Sequence, residues 1–216
     1  MTLLLLRELL LLLALAGAAD LSFPTQFSAA YSTIAHQIPE TSEYPSRVKH
    51  YQVNVDRSLG GSRIVHEEDG SVLVTLIRNY NAHYEVRLEK VDGIETCEYS
   101  FMGESMPEPN LHVVKDSIGE IMNDGSVTNG YSYQDQRQYV ELYFHKDSNL
   151  PSRVHEFYID ENNKPNPVFS TVYNSITEGP QDPSLFDVEK YIESGKCSRN
   201  GKGWPYQLIF GPFVRV

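Results

Sequence analysis

Residues 83–102 read HYEVRLEKVDGIETCEYSFM. Tyr84, Val86 and Leu88 alternate with Glu85, Arg87 and Glu89. After Asp92-Gly93, a second run puts Cys97, Tyr99 and Phe101 on one face and Thr96, Glu98 and Ser100 on the other. Alternation with a period of two on both sides of an Asp-Gly step predicts a β-hairpin, because side chains in a strand point to opposite faces and glycine supplies the tight turn.

The same pattern extends towards the N-terminus. In RVKHYQVNVD (47–56), Tyr51, Val53 and Val55 share a face, and His50, Gln52, Asn54 and Asp56 share the other. Leu59-Gly60-Gly61 turns the chain into SRIVHEEDG, whose Asp69-Gly70 is a second hairpin signal before the more continuously apolar SVLVTLIRNYN (71–81). These runs predict an antiparallel meander. The Pro-, Ser- and Thr-rich stretch 21–45 holds at most a first strand or a short helix near Phe27 to Ile34. Residues 103–132, broken by Gly, Pro and Asn, read as a loop or a short helix lying over a sheet face or edge. Alternation resumes from Gln136, with Val140, Leu142 and Phe144 against Tyr139, Glu141, Tyr143 and His145. The tetrapeptide PSRV occurs at 45–48 and again at 151–154, each time before a predicted strand, where proline's missing donor costs little. It is one backbone solution reached twice, and neither copy brings a nucleophile beside a base.

The first 19 residues carry an apolar run ending in small residues and are expected to be a signal peptide. The run from Leu9 to Ala19 is shorter than the roughly 20 residues of a membrane-spanning helix. One β domain is expected over 20–197, followed by a basic and apolar tail at 198–216 that holds the single Trp. That tail reads as an extra strand, a partner-binding segment or a terminus joined by a gene-model error, and is too polar and short for a lipid-anchor signal. The net charge of −11 is concentrated in the body, where residues 20–197 hold 14 basic and 28 acidic side chains. Such a surface repels phosphate backbones, so nucleic acid is not an expected partner. Cys97 and Cys197 are the only cysteines. In an oxidising compartment one disulfide is the simplest reading, against two free thiols or a metal pair with His.

Motifs for several chemistries are absent. There is no G-x-S-x-G elbow, no H-E-x-x-H, no P-loop and no dinucleotide fingerprint. Seven histidines at 36, 50, 66, 83, 112, 145 and 155 show no helical i, i+4 pairing and read as exposed strand residues. Calcium-loop spacing is missing, although Asp160 and Asn123 lie in turns that offer oxygen ligands. No cofactor and no metal site is expected, and calcium is expected at most weakly. No residue stands out as catalytic.

From Tyr139 to Tyr191 the order of strands, followed by Asp182-Pro183-Ser184-Leu185-Phe186 and then Cys197, resembles the ependymin-related proteins. It is also similar to the broader group sharing the fold of bacterial lipoprotein carriers of the LolA type, and to N-terminal domains that precede some papain-like proteases. The resemblance spans about residues 22–197 and implies a strongly curved antiparallel sheet, a half-open barrel with one or two short helices, whose concave side takes lipid.

The residues point the same way. A mainly β sheet of about eight or more strands with one aromatic-rich face buries that face against itself, a partner or a ligand. Candidate liners are Tyr51, Val53, Val55, Tyr84, Val86, Leu88, Tyr99, Phe101, Val140, Leu142, Phe144 and Phe157. The expectation is a secreted, extracellular or lysosomal non-enzymatic protein binding a lipid or fatty acid. The alternatives are an interaction or matrix-adhesion module, calcium-sensitive or not, and a secreted hydrolase using a carboxylate pair.

Overall fold

The computed structural model describes residues 23–41, 47–68, 70–91, 93–106, 116–123, 126–135 and 137–201. The expected signal peptide and all but the start of the tail lie outside these residues. Among the described residues, twelve strands form one curved, unclosed sheet. In chain order they are β1 (Gln26–Ala35), β2 (Val48–Asp56), β3 (Gly61–Glu68), β4 (Ser71–Asn79), β5 (Tyr84–Val91), β6 (Ile94–Phe101), β7 (Asp116–Asn123), β8 (Ser126–Asp135), β9 (Gln138–His145), β10 (Pro151–Ile159), β11 (Pro165–Glu178) and the two-residue β12 (Ser198–Arg199). The spatial order is β12-β6-β5-β4-β3-β2-β1-β11-β10-β9-β8-β7.

Two meanders, β1–β6 and β7–β11, are thus sewn together by β1 pairing antiparallel with β11. Gly70 and Gly93, the glycines of the two expected turns, lie between β3 and β4 and between β5 and β6 at φ 72° and 78°. The second PSRV copy opens β10 with a buried Pro151, and Pro45 of the first lies outside the described residues. The stretch near Phe27 to Ile34 is strand β1.

Of the stretch 103–132 expected to be a loop or short helix, residues 107–115 and 124–125 lie outside the described residues, and 116–123 and 126–132 are instead strand, in the antiparallel pair β7–β8. Here glycines obscure the alternation. Gly119 (φ 95°) lies at a register shift and faces Gly130. Gly130 in turn accepts Ile118 in the place a Cβ would occupy, at 2.7 Å.

The C-terminal segment packs on one face of the first meander through a 3-10 turn (Pro183–Phe186) and a short helix α1 (Glu189–Glu193). Asp182 caps the turn by accepting from Ser184 N at 2.9 Å. Phe186 is buried and lies against Gly61, where an added Cβ would sit 2.3 Å from the ring. Val188 packs with Ile77 and Val86 in a cluster that includes Tyr84, Leu88, Tyr99, Tyr191 and Ile192.

Asp56 anchors the approach to this segment. Its buried carboxylate accepts from Gln26 Nε2 (3.0 Å), Ser58 Oγ (2.6 Å), Leu59 N (3.2 Å) and Gln181 N (3.1 Å). Burial pushes its pKa up, but these hydrogen bonds outweigh it and hold the carboxyl at about 2.

Cys97 and Cys197 are bonded, with Cα atoms 4.5 Å apart and a sequence separation of 100. Immediately after Cys197, β12 adds to β6 in parallel, so residues 198–199 of the expected tail belong to the sheet. The bond closes a long loop, and Cys97→Ser is expected to cost about 2–5 kcal/mol, measured by urea unfolding against the unreduced protein. Gly61→Ala is expected to cost about 1–3 kcal/mol by overpacking against Phe186. Rescue of that variant by Phe186→Leu in the same assay checks that the ring is the obstacle.

Candidate functional site

Alternation combined with register sorts the side chains into two faces. On the first, Phe27, Ala29 and Tyr31 of β1 lie opposite Val55, Val53 and Tyr51 of β2, and Val53 lies opposite Ile64 of β3. Phe23, Phe27, Ala29, Tyr31, Val53 and Ile64 form a buried cluster, with Tyr51, Val55, Tyr173 and Ile176 packed on it. Tyr173 also joins a second cluster on the same face, Val140, Leu142, Phe144 and Val154, flanked by Tyr131 and Tyr133. Tyr31 links the two halves, its ring centroid 5.1 Å from Tyr51 and 5.5 Å from Tyr173. Among the described residues, neither the 3-10 turn nor α1 contributes to these clusters.

Burial raises the pKa of Tyr51 to about 12. It raises Tyr31 further, with the neighbouring Tyr51 adding to the effect, and Tyr173 likewise beside Tyr31. All three phenols stay neutral at physiological pH, so the centre of this aromatic face is uncharged.

The twelve sequence-predicted liners do not share one face. Tyr51, Val53, Val55, Val140, Leu142 and Phe144 lie on the aromatic face. Tyr84, Val86, Leu88 and Tyr99 lie on the opposite face, beneath Val188, Tyr191 and Ile192. Phe101 is 61% exposed and meets Tyr84 edge-on at 6.0 Å. Phe157 faces Tyr139 across the strand pair, their rings 5.6 Å apart, on the side away from Val140 and Val154. Alternation identifies which residues share a side of a strand but not which side of the sheet they take. Phe27, Ala29 and Tyr31 were missed although QFSAAYS alternates. Tyr173 was missed because the bulge between Ala30 and Tyr31 shifts its pairing.

The opposite face carries a groove of about 600 Å³ beside the Cys97–Cys197 bridge, floored by Leu73, Thr75 and Leu88 and walled by Tyr191. Further along, the sheet assembles a polar cluster that sequence spacing did not show. Ser170 Oγ lies 2.7 Å from Nε2 of His36 and 2.7 Å from Nδ1 of His155. With a single hydrogen, the hydroxyl donates to one ring and accepts from the other. Glu141 stands opposite His155 in the register, and its carboxylate accepts from Tyr143 at 2.8 Å and Tyr139 at 3.2 Å. β11 is paired on both sides, by β1 and β10. The backbone around Ser170 therefore supports the ladder and does not form an oxyanion hole.

Among the described residues, no group of three or more His, Cys, Asp or Glu is placed to hold a metal ion. Asp160, in one of the oxygen-rich turns, accepts from Asn162 N and Lys164 N within its own turn. No described helix is long and apolar enough to cross a membrane.

No protein-family model matches the chain, and no curated protein matches it. Solved structures that it resembles include MucB in the MucA/MucB complex of Pseudomonas aeruginosa, at 14% identity and a TM-score of 0.42 over 74% of this chain and 54% of that one. PNGF-II matches at 9% identity and a TM-score of 0.38, over 82% of this chain and 31% of that chain. A DUF1329 family protein from Desulfovibrio piger matches at 8% identity and a TM-score of 0.30, over 80% of this chain and 92% of that one. The chain spans about half the length of the MucB chain. Identities this low transfer no residue role.

Burial lowers the pKa of His36, with Arg47 adding to the effect. For His155 burial again acts first, Arg153 adds to it and Glu141 opposes it. Both rings titrate below their unfolded value near 6.5, so the unfolded chain binds protons more readily. Stability from this cluster is complete above about pH 6.5 and declines as the pH falls through the lowered values. The melting temperature is expected to drop between pH 7.5 and pH 5, and to drop less in His155→Gln over the same interval.

Proposed function

We propose that this chain is a non-enzymatic binding protein of an oxidising compartment, with the aromatic face as the concave wall of a site for an apolar ligand such as a lipid or fatty acid. The observation that carries this reading is the continuous apolar surface from Ile64 through Tyr51, Tyr31 and Tyr173 to Phe144. It belongs to an unclosed sheet whose described helical pieces pack elsewhere. An open sheet that curves towards such a face gains most by filling it with apolar material, at about 25 cal/mol per Å² removed from water.

Three neutral phenols at its centre suit acyl chains better than charged substrates. The disulfide supports an exported location. The resemblance of Asp182–Phe186 and Cys197 to the closing element of the ependymin-related proteins agrees with the same role.

Organic extraction of the purified, secreted protein followed by lipid mass spectrometry tests the reading, with an acidic secreted protein as control. A stoichiometric lipid is the expected result. A blank extract, together with failure of the protein to take up a fluorescent fatty acid, overturns it.

A further inference from the structure

The aromatic face changes character over β3–β5. Register carries it from Val53 to Ile64, from Ile64 to Leu76 and from Leu76 to Arg87. In the flanking rows Tyr51 lies opposite His66, and Ser62 lies opposite Arg78, which in turn faces Glu85. The ionisable side chains that follow the aromatic patch on the same face, around Val74 and Leu76, are therefore His66, Arg78, Glu85, Arg87 and Glu89. Arg78 Nε donates to Glu85 at 3.0 Å, both side chains being buried, and Arg87 Nη2 donates to Glu89 at 3.1 Å.

Among the described residues, Nε2 of His66 and Nε of Arg87 are closed to solvent and meet no hydrogen-bond partner. Buried polar atoms are nearly always satisfied, so two orphans on one face beside an apolar patch point to a missing partner. The His66 ring stacks on Tyr51 with centroids 5.1 Å apart, which places one orphan at the border of the apolar region.

We propose that the ligand of the aromatic face is an amphiphile with an oxyanion head, a carboxylate or a phosphate. The head seats over β3–β5 and accepts from Arg87 Nε and His66 Nε2, and the chain runs over Tyr51, Tyr31 and Tyr173. This inference rests on the reading under Proposed function and adds the head. The Nε–H of arginine only donates, so its partner must accept. A cationic head would have to displace arginine from Glu85 or Glu89, whereas an oxyanion uses donors that those carboxylates leave over.

The test uses the full secreted protein and four probes of one chain length: laurate, dodecyl phosphate, dodecanol and dodecyltrimethylammonium. Affinity is read below micellar concentrations by displacement of a neutral fluorescent naphthylamine. The wild type is expected to bind laurate or dodecyl phosphate at least about tenfold more tightly than dodecanol, and the better of the two names the head. Arg87→Gln and His66→Phe are expected to erase that preference and leave dodecanol unchanged. Equal affinity of the wild type for all heads, tighter binding of the cation, or a uniform loss for all probes in both variants overturns the head site alone. Failure of every probe to bind the wild type overturns the apolar site and the head site together.

Discussion

The pairing of β1 with β11 is the contact on which the rest of the structure depends. It joins strands more than a hundred residues apart and turns two local meanders into one sheet. Without it, Tyr31 and Tyr173 would belong to separate half-sheets, each with an aromatic edge open to water. With it, the two apolar clusters share Tyr173 and become one surface. The same pairing brings Ser170 beside His36 and Thr33 beside Thr171, whose hydroxyl oxygens are 3.2 Å apart. Each polar pair spans the seam, Ser170 with His36 on the side away from the aromatic rings and Thr33 with Thr171 on the ring side, two residues beyond the Tyr31–Tyr173 pair.

The first meander has two buried faces because the chain returns to it. Val188, Tyr191 and Ile192 cover Ile77, Val86 and Leu88, Phe186 covers Gly61, and the Asp56 carboxylate and the disulfide secure the two ends of the returning segment. Covering one side of β3–β6 with the C-terminus leaves the other side continuous with the aromatic patch. Buried charge collects there: Arg78 and Glu85 lie at the junction and pair through Arg78 Nε at 3.0 Å. A buried ion pair of this kind adds little net stability, because desolvation offsets most of its attraction. Its consequence is chemical contrast within one face, aromatic where Tyr51, Tyr31 and Tyr173 meet and charged where Arg78, Glu85, Arg87 and Glu89 lie on β4 and β5.

Strand identity was largely legible in the sequence. The alternation in 47–56, 83–102 and 138–145 and the Asp-Gly steps predict the meanders, because period-two patterning and turn chemistry act over a few residues. β7–β8 was not legible, since Gly119 and Gly130 interrupt the pattern for a packing reason that only the partner strand reveals. Half of the candidate liners sit on the aromatic face and the others on its reverse. In β5 and β6 the apolar phase serves the C-terminal segment, and nothing in TCEYSF distinguishes that use from the lining of a site. The histidines read as scattered because their spacing was judged along the chain, whereas His36 and His155 meet across three strands.

The amino-acid sequence by itself determined a mainly β chain, the places where it turns, the acidic body and the pairing of its only two cysteines, all of which follow from local pattern, composition and count. Tertiary structure alone decided the strand order, the side of the sheet on which each apolar row falls, the meeting of Ser170 with two imidazoles, and the adjacency of Arg87 and His66 to the aromatic patch. The physical reason is that a strand specifies its own two faces through the backbone, but its neighbours and its covered side follow from contacts between residues far apart in the chain.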